Sequence, residues 1–219
     1  MKRAPRLKGG RAVRVASLFI GLVVMAVAIV ALLQSRLGLA PWDVFHLGIA
    51  KHSPLEIGTA SIVVGLVVLF VAWGLGQPPG FGTVANAIVI GAVVDLLLTI
   101  RWVEDLSSAG LVVRFGLLAF GLALFGIGTA CYTGAGLGAG PRDSMMLALS
   151  RRSGVRIAVV RSSLELLAIA VGWALGGAVG VGTVVIAFLL GPTVEGSFWL
   201  FVRLGLAEPA AEAASDPVS

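Results

Sequence analysis

Residues 37–43 read LGLAPWD, and residues 137–143 read LGAGPRD, at an interval of 100 residues. Both stretches follow the order Gly-x-x-Pro-x-Asp, and both interrupt long apolar segments. The match extends outward without a gap, since residues 14–95 aligned on 114–195 share about 23 of 82 positions. Apolar composition alone would not keep Pro, Asp, Trp and Thr in register. The chain is therefore predicted to contain a duplicated unit.

The composition predicts a membrane protein. Of the 219 residues, 58% are hydrophobic and 12% are charged, whereas soluble domains average about 45–50% apolar and about 25% charged residues. The net charge of +5 comes from short basic clusters between apolar runs. No interleaving of aromatic and basic residues supports a nucleic-acid partner, and the expected partner is the lipid bilayer.

Six segments are long and apolar enough to span a bilayer, which takes about 20 residues. They are 14–33, 57–76, 82–100, 111–132, 157–176 and 182–203. The first is longer than the apolar core of a secretory signal and lacks a small-residue cleavage site, so it is predicted to stay as a membrane helix. Five parts follow: a basic cytoplasmic N-terminus 1–13, a first three-helix repeat 14–100, an outer linker 101–110, a second three-helix repeat 111–203 and a disordered cytoplasmic tail 204–219.

Each repeat holds three spans, and an odd number makes the second copy enter the membrane from the opposite side. The predicted fold is thus an all-α membrane protein with six transmembrane helices in a 3+3 inverted-topology repeat, a construction found in many secondary transporters. With the N-terminus inside, twelve of the sixteen Lys and Arg residues lie on the cytoplasmic side. The positive-inside rule then places both termini in the cytoplasm.

The connection after the first span of each half, WDVFHLGIAK or RDSMMLALSRR, is too short to span and too apolar for an exposed loop. Each predicts a short interfacial or re-entrant helix. Asp43 and Asp143 open these helices, where a carboxylate either caps free amides or lines a path for a solute. The structural motifs around them are Gly38, Pro41, Gly82 and Thr83 in the first half, and Gly138, Pro141, Gly182 and Thr183 in the second.

Two further sets of charged residues lie inside apolar spans. Asp95 and Glu195 occupy equivalent positions, and a carboxylate at a helix centre costs about 2.5–3.5 kcal/mol to insert. They are candidates for an ion or substrate path, unless a neighbouring helix or hydration satisfies them. Arg161 and Glu165 stand four residues apart, so they can pair on one helix face. They would either stabilise each other or contact a solute.

The sequence predicts neither an enzyme nor a metal or cofactor site. No HExxH, GxSxG or phosphate-binding loop occurs. His46 and His52 form no recognisable metal or nucleophile constellation with Cys131. The single cysteine excludes an internal disulfide.

LGLAPWDVFHLGIA, IGTASIVVGL and FGTVANAIVIGAVVDLLL resemble the YczE/YyaS/YitT family of bacterial integral membrane proteins. The resemblance covers roughly residues 14–200 and implies a multi-span protein of the bacterial inner membrane. It carries over no set of binding residues. The second half departs from the pattern, since Ile186 stands where the first half has Asn86.

These observations together predict a transporter of a small solute or ion. Acidic residues in apolar surroundings favour a cation or a proton-coupled substrate. Two alternatives stay open at this point: a substrate-binding membrane subunit of a larger transport complex, or an accessory factor that transports nothing. A homo-oligomer and a partner subunit are both compatible with the sequence.

Overall fold

The computed structural model describes residues 5–208, except the side chains of Glu104, Ile157 and Ala158, and this part is almost entirely helical. The long helices are α1 (Arg11–Ser35), α3 (Ile57–Gly74), α4 (Phe81–Leu98), α6 (Leu111–Gly134), α8 (Ile157–Ala174) and α9 (Val181–Arg203). The shorter elements are α2 (Pro41–Lys51), α5 (Arg101–Asp105), α7 (Pro141–Ser153), a 3-10 turn (Leu106–Ser108) and two strands, β1 (Arg6–Leu7) and β2 (Ala207–Glu208).

The all-helical class is confirmed, and the helices of the two halves begin 100 residues apart: α1 with α6, α2 with α7, α3 with α8 and α4 with α9. Five described helices, α1, α3, α4, α6 and α9, are long and apolar enough to cross a membrane. The predicted span 157–176 corresponds to α8, which is helical but is not among the five. Six spans therefore stay a prediction.

Helices α1 and α6 form the centre of the structure and run antiparallel. Arg14, near the start of α1, donates from Nε to the carbonyl of Ala135, just past the end of α6, at 2.7 Å. Arg114, near the start of α6, donates to the carbonyl of Ser35, the last residue of α1, also at 2.7 Å. The last carbonyls of a helix lack partners within it and favour a positive charge, so each arginine stabilises the C-terminus of the other helix.

Small residues let these two helices approach closely. A Cβ atom on Gly21 would lie 2.8 Å from the carbonyl oxygen of Gly128, and one on Gly121 would lie 3.0 Å from that of Ala28. The two contacts are reciprocal at an interval of 100 residues. Close backbone approach through glycine is the usual packing of membrane helices, because apolar side chains alone gain little by association in lipid.

The Gly-x-x-Pro-x-Asp stretch of each half contacts the other half at the first turn of α4 or α9. That turn contains Gly82 and Thr83 in α4, and Gly182 and Thr183 in α9. The amide of Gly82 donates to the carbonyl of Leu137 at 2.8 Å, and that of Gly182 donates to Leu37 at 2.6 Å. Gly38 has φ +123° and Gly138 has φ +140°, a conformation that side-chain-bearing residues avoid. Each motif is thus half of a contact between the two repeats.

The two halves differ in the packing of their last two long helices. Helices α3 and α4 pack closely, with Gly58 against Gly91, whereas α8 and α9 show no comparable packing. Gly191, the equivalent of Gly91, has open space where a Cβ would stand. The structure therefore has an open side between α8 and α9.

The chain ends and the linker are more ordered than the sequence predicts. Residues 101–108 of the predicted linker form α5 and the 3-10 turn, and within the predicted tail 204–219, β2 pairs antiparallel with β1. The rest of that tail, from residue 209, lies outside the described residues. The outer faces of the long helices are apolar, with Val112 87% and Phe188 76% exposed. Such extensive apolar exposure is expected where lipid covers the surface.

Candidate functional site

A cavity of about 780 Å³ lies between the two halves. Its walls come from α1 to α4 in the first half and from α6 to α9 in the second. Ligand sites in proteins usually measure about 300–1,000 Å³ and combine apolar walls with a few polar groups. This cavity fits that description, because charged side chains project among residues such as Met25, Ile29 and Phe125.

The starts of α2 and α7 meet at the cavity. Each helix begins with a proline, Pro41 or Pro141, whose fixed φ suits the first helical position. The next residue is Trp42 in the first half and Arg142 in the second. The guanidinium of Arg142 lies over the ring of Trp42, with 5.1 Å from Cζ to the ring centroid. Two equivalent positions of the repeat thus contact each other as a cation–π pair.

Asp43 is buried, 3% exposed, beside two cationic or titratable partners. Its Oδ1 lies 3.5 Å from Nδ1 of His46 and 4.0 Å from an amino nitrogen of Arg142. His46 is 2% exposed and borders the cavity, and its Nε2 is buried without a hydrogen-bond partner among the described residues. Burial lowers the pKa of His46, although the hydrogen bond with Asp43 partly opposes this.

Asp143 also faces the cavity, but its contacts differ from those of Asp43. It accepts a hydrogen bond from the hydroxyl of Tyr132 at 3.3 Å. Burial raises the pKa of Asp143, and the nearby charges of Arg161 and Arg142 oppose that shift. Asn86 lines the same region, whereas its equivalent, Ile186, is buried in the apolar core.

The second half supplies the remaining charged residues of the cavity. Arg161 donates to Glu165 at 2.9 Å, as the spacing predicts, and both side chains line the cavity near its open side. Glu195, on α9, also lines the cavity and makes no hydrogen bond with a described residue. The structure thus brings Asp143, Arg161, Glu165 and Glu195 into one space, with Asp43 buried at its edge.

Asp95 lies elsewhere. Its carboxylate accepts hydrogen bonds from the amide of Gly58 at 2.6 Å and from the hydroxyl of Thr59 at 2.5 Å. These groups open α3, where amides have no partner within the helix. Asp95 therefore fastens α4 to the start of α3, while its equivalent Glu195 stands free on the cavity wall.

This difference predicts opposite effects for two equivalent substitutions. Asp95→Asn should lower the stability of the purified protein by about 1 kcal/mol, as loss of a helix cap does, and leave solute binding unchanged. Glu195→Gln should leave thermal unfolding in detergent unchanged and alter solute binding. Equal thermal shifts for the two variants would contradict the assignment.

Five cavity residues were missed as site residues by sequence reasoning: Arg142, His46, Tyr132, Trp42 and Asn86. His46 stands one helical turn after Asp43, a spacing that allows contact, so a weak signal exists. Tyr132 lies in an apolar run that gives none. Among the described residues no cluster of three His, Cys, Asp or Glu side chains could hold a metal ion.

Long helices with apolar outer faces around a charged internal cavity define a multi-pass membrane protein. The chain belongs to the family of unknown function DUF6198, whose model matches residues 12–197.

One relative is itself named a membrane protein. The chain is 35% identical to the uncharacterized membrane protein YczE of Bacillus subtilis (strain 168), over 79% of this chain and 80% of the relative. It is 38% identical to an uncharacterized protein of Haemophilus influenzae, over 78% and 76%, and 26% identical to the uncharacterized protein YyaS of B. subtilis, over 78% and 86%. No solved structure matches the chain.

Proposed function

We propose that the chain is a carrier of a small solute or ion in the bacterial plasma membrane, built as six spans in two inverted halves. The observation that carries the proposal is the central cavity, whose walls come from both halves and hold Arg142, Asp143, Glu165 and Glu195. Charged residues are costly within a membrane protein and usually mark substrate or ion pathways.

The reciprocal contacts support an inverted arrangement. The contact of Arg14 with the end of α6 is equivalent to that of Arg114 with the end of α1, with the roles of the two halves exchanged. The hydrogen bonds Gly82–Leu137 and Gly182–Leu37 are equivalent in the same way. Such pairs are related by a two-fold axis, and the antiparallel course of α1 and α6 fits an axis in the membrane plane. Carriers commonly place their sites at this axis between the repeats.

The position of the chain ends supports an even number of spans. Strands β1 and β2 pair, so the segments before α1 and after α9 lie together on one side of the helices. With the positive-inside bias, this supports two cytoplasmic ends. A sixth span then has to be α8, whose charges Arg161 and Glu165 are paired and face the cavity.

Coupling to a cation or proton fits the same cavity. Asp143 and Glu195 are titratable and accessible from the cavity, and burial raises the pKa of Asp143. Its carboxyl therefore takes up a proton more readily than an exposed aspartate does, which suits a site that gains and loses a proton during transport.

The test is solute-driven proton movement in proteoliposomes. Full-length protein is reconstituted with a pH-sensitive dye inside, and organic acids, amino acids and amines are added outside. One solute class should produce a protein-dependent signal. Asp143→Asn and Glu195→Gln should slow that signal about tenfold, while Asp105→Asn, an exposed acid outside the cavity, should leave it unchanged.

Two outcomes would favour other functions. Stoichiometric co-purification of further proteins, with no flux by the chain alone, would favour a binding subunit of a larger complex. A deletion phenotype that Asp143→Asn and Glu195→Gln both rescue would favour an accessory factor.

A further inference from the structure

Asp43 is the shared counter-ion of two groups that face the cavity. His46 lies 3.5 Å from its Oδ1, one turn along α2, and Arg142 lies 4.0 Å from the same oxygen, across on α7. Asp43 itself is 3% exposed. One carboxylate therefore serves two potential cations in a poorly solvated place, where a net charge is costly.

His46 borders the cavity and keeps one ring nitrogen without a partner among the described residues. Because Nδ1 faces a carboxylate oxygen, Nδ1 carries the hydrogen of the neutral imidazole, and Nε2 is left as an acceptor. Nε2 is buried with no partner among the described residues. A buried polar atom without a partner is uncommon and calls for one. A proton delivered from the cavity would occupy this position.

Arg142 offers a guanidinium to the same space. Its side chain is 36% exposed, lies over Trp42, and makes no hydrogen bond with a described residue. A guanidinium presents paired N–H donors, which match the two oxygens of a carboxylate. The 4.0 Å contact with Asp43 leaves these donors available.

The two groups are linked through Asp43. With His46 neutral, Asp43 balances Arg142, and the three residues sum to zero charge. When Nε2 takes a proton, Asp43 balances the imidazolium. Two further acids act on Arg142, but burial raises the pKa of Asp143, and Glu165 already pairs with Arg161. Arg142 is then short of a counter-ion and favours an anion. One proton and one monoanion together add no charge, whereas either alone adds a full charge to a buried site.

From this geometry we propose that the cavity binds a small organic acid as its monoanion together with one proton. The solute carboxylate binds Arg142, and the proton, drawn from water, binds Nε2 of His46. This rests on the proposed carrier function, and it names the substrate class and the coupling site. The only bond formed is Nε2–H, made with a proton from solvent hydronium, which leaves water; it breaks again on release, so the proton and anion enter and leave as a pair.

The other charged groups around the cavity have roles of their own. Asp143 accepts from Tyr132, and Arg161 pairs with Glu165; together with Glu195 they complete the charged residues that line it. Asp43 and Arg142 are the charged groups that shift the pKa of His46. The sequence favoured a cation or a proton-coupled substrate because acidic residues lie in apolar surroundings, but the structure gives Asp43 two partners already.

The apolar walls of the cavity favour a solute with an apolar group. Met25, Ile29, Ile90 and Phe125 line the cavity beside the charged residues. An acid with a compact apolar group would fill this space while its carboxylate reaches Arg142. A phosphate dianion would leave a charge uncompensated by a single proton.

The test is calorimetric titration of the full-length protein in detergent with three probes of one shape: phenylacetate, phenylacetamide and phenethylamine. Phenylacetate should bind at least about tenfold more tightly than the other two, which lack the charge that Arg142 pairs with. Titration in two buffers of different ionisation enthalpy should show about one proton taken up per phenylacetate near neutral pH. Because burial lowers the pKa of His46, affinity should rise as pH falls from about 7.5 to about 5.5.

Variants separate the two roles. Arg142→Gln should weaken phenylacetate binding about 10- to 100-fold, and Arg142→Lys, which keeps the charge without the paired donors, should weaken it less. His46→Gln should abolish proton uptake and the pH dependence. Arg152→Gln, at an exposed arginine on the same helix α7 that does not line the cavity, should change affinity no more than about twofold.

The outcomes are distinct from those of the carrier function. Selective phenylacetate binding without flux in proteoliposomes would keep this site and reject the carrier. Flux of an amine, with no preference for phenylacetate over its amide, would keep the carrier and overturn this proposal. Proton uptake that survives in His46→Gln would overturn the role of His46.

Discussion

Gly91→Ala is expected to prevent the close packing of α3 on α4. A Cβ at position 91 would overlap the carbonyl oxygen of Gly58 and press on Ile62. Backbone cannot yield as a flexible side chain does, so the helices must separate. That movement would also pull Asp95 from the start of α3. We expect a loss of about 3 kcal/mol, seen as a fall of about 10 °C in the melting temperature in detergent.

The second half supplies a matched control. Gly191 occupies the equivalent position on α9, but a Cβ there would meet no atom within 4 Å. Gly191→Ala should therefore leave the melting temperature unchanged or raise it slightly, because alanine favours helix by about 1 kcal/mol over glycine. Equal destabilisation by both substitutions would show that α8 and α9 pack as closely as α3 and α4.

Gly38→Ala is expected to separate the two halves where the repeated motifs meet. Gly38 has φ +123°, and its Cβ would lie 2.6 Å from Oγ1 of Thr183 and 2.8 Å from the amide nitrogen of Gly180. Strained backbone and overlap with the neighbouring turn act together, and we expect a loss of at least about 3 kcal/mol. The purified protein should elute as a broadened or aggregated peak in size-exclusion chromatography.

Gly76→Ala isolates the contribution of backbone strain. Gly76 has φ +89°, but nothing lies within 4 Å of the position of its Cβ. Its substitution should cost about 1–2 kcal/mol and leave a monodisperse protein. If Gly38→Ala were no worse than Gly76→Ala, the contact between the motif and the turn would not stabilise the fold.

The helices were predictable because the length of an apolar run can be read within one segment, and the duplication can be read by comparing two segments of the sequence. The duplication also predicted the equivalent short helices after the first span of each half, which start at Pro41 and Pro141. The aspartates were recognised as notable residues, yet their partners were not. His46, on the same helix as Asp43, was within reach of spacing arguments, whereas Arg142 lies 99 positions further along the chain.

Equivalent sequence positions also proved to have different surroundings. Asp95 and Glu195 align without a gap, but only Asp95 meets the start of a neighbouring helix. The difference arises because α3 packs on α4 through two glycines, while α8 lies apart from α9. The identities of the residues at positions 95 and 195 do not by themselves predict this difference in packing.

The sequence by itself determined the membrane class, the places of the long helices and the internal match that LGLAPWD and LGAGPRD mark, because hydrophobic length and internal identity need no knowledge of packing. The tertiary structure decided which segments of the two halves contact each other, which carboxylates accept hydrogen bonds and which carboxylates face the cavity. These features depend on the distances between helices that are far apart in the chain. Close contacts at glycine set those distances, and the hydropathy of a segment does not reveal them.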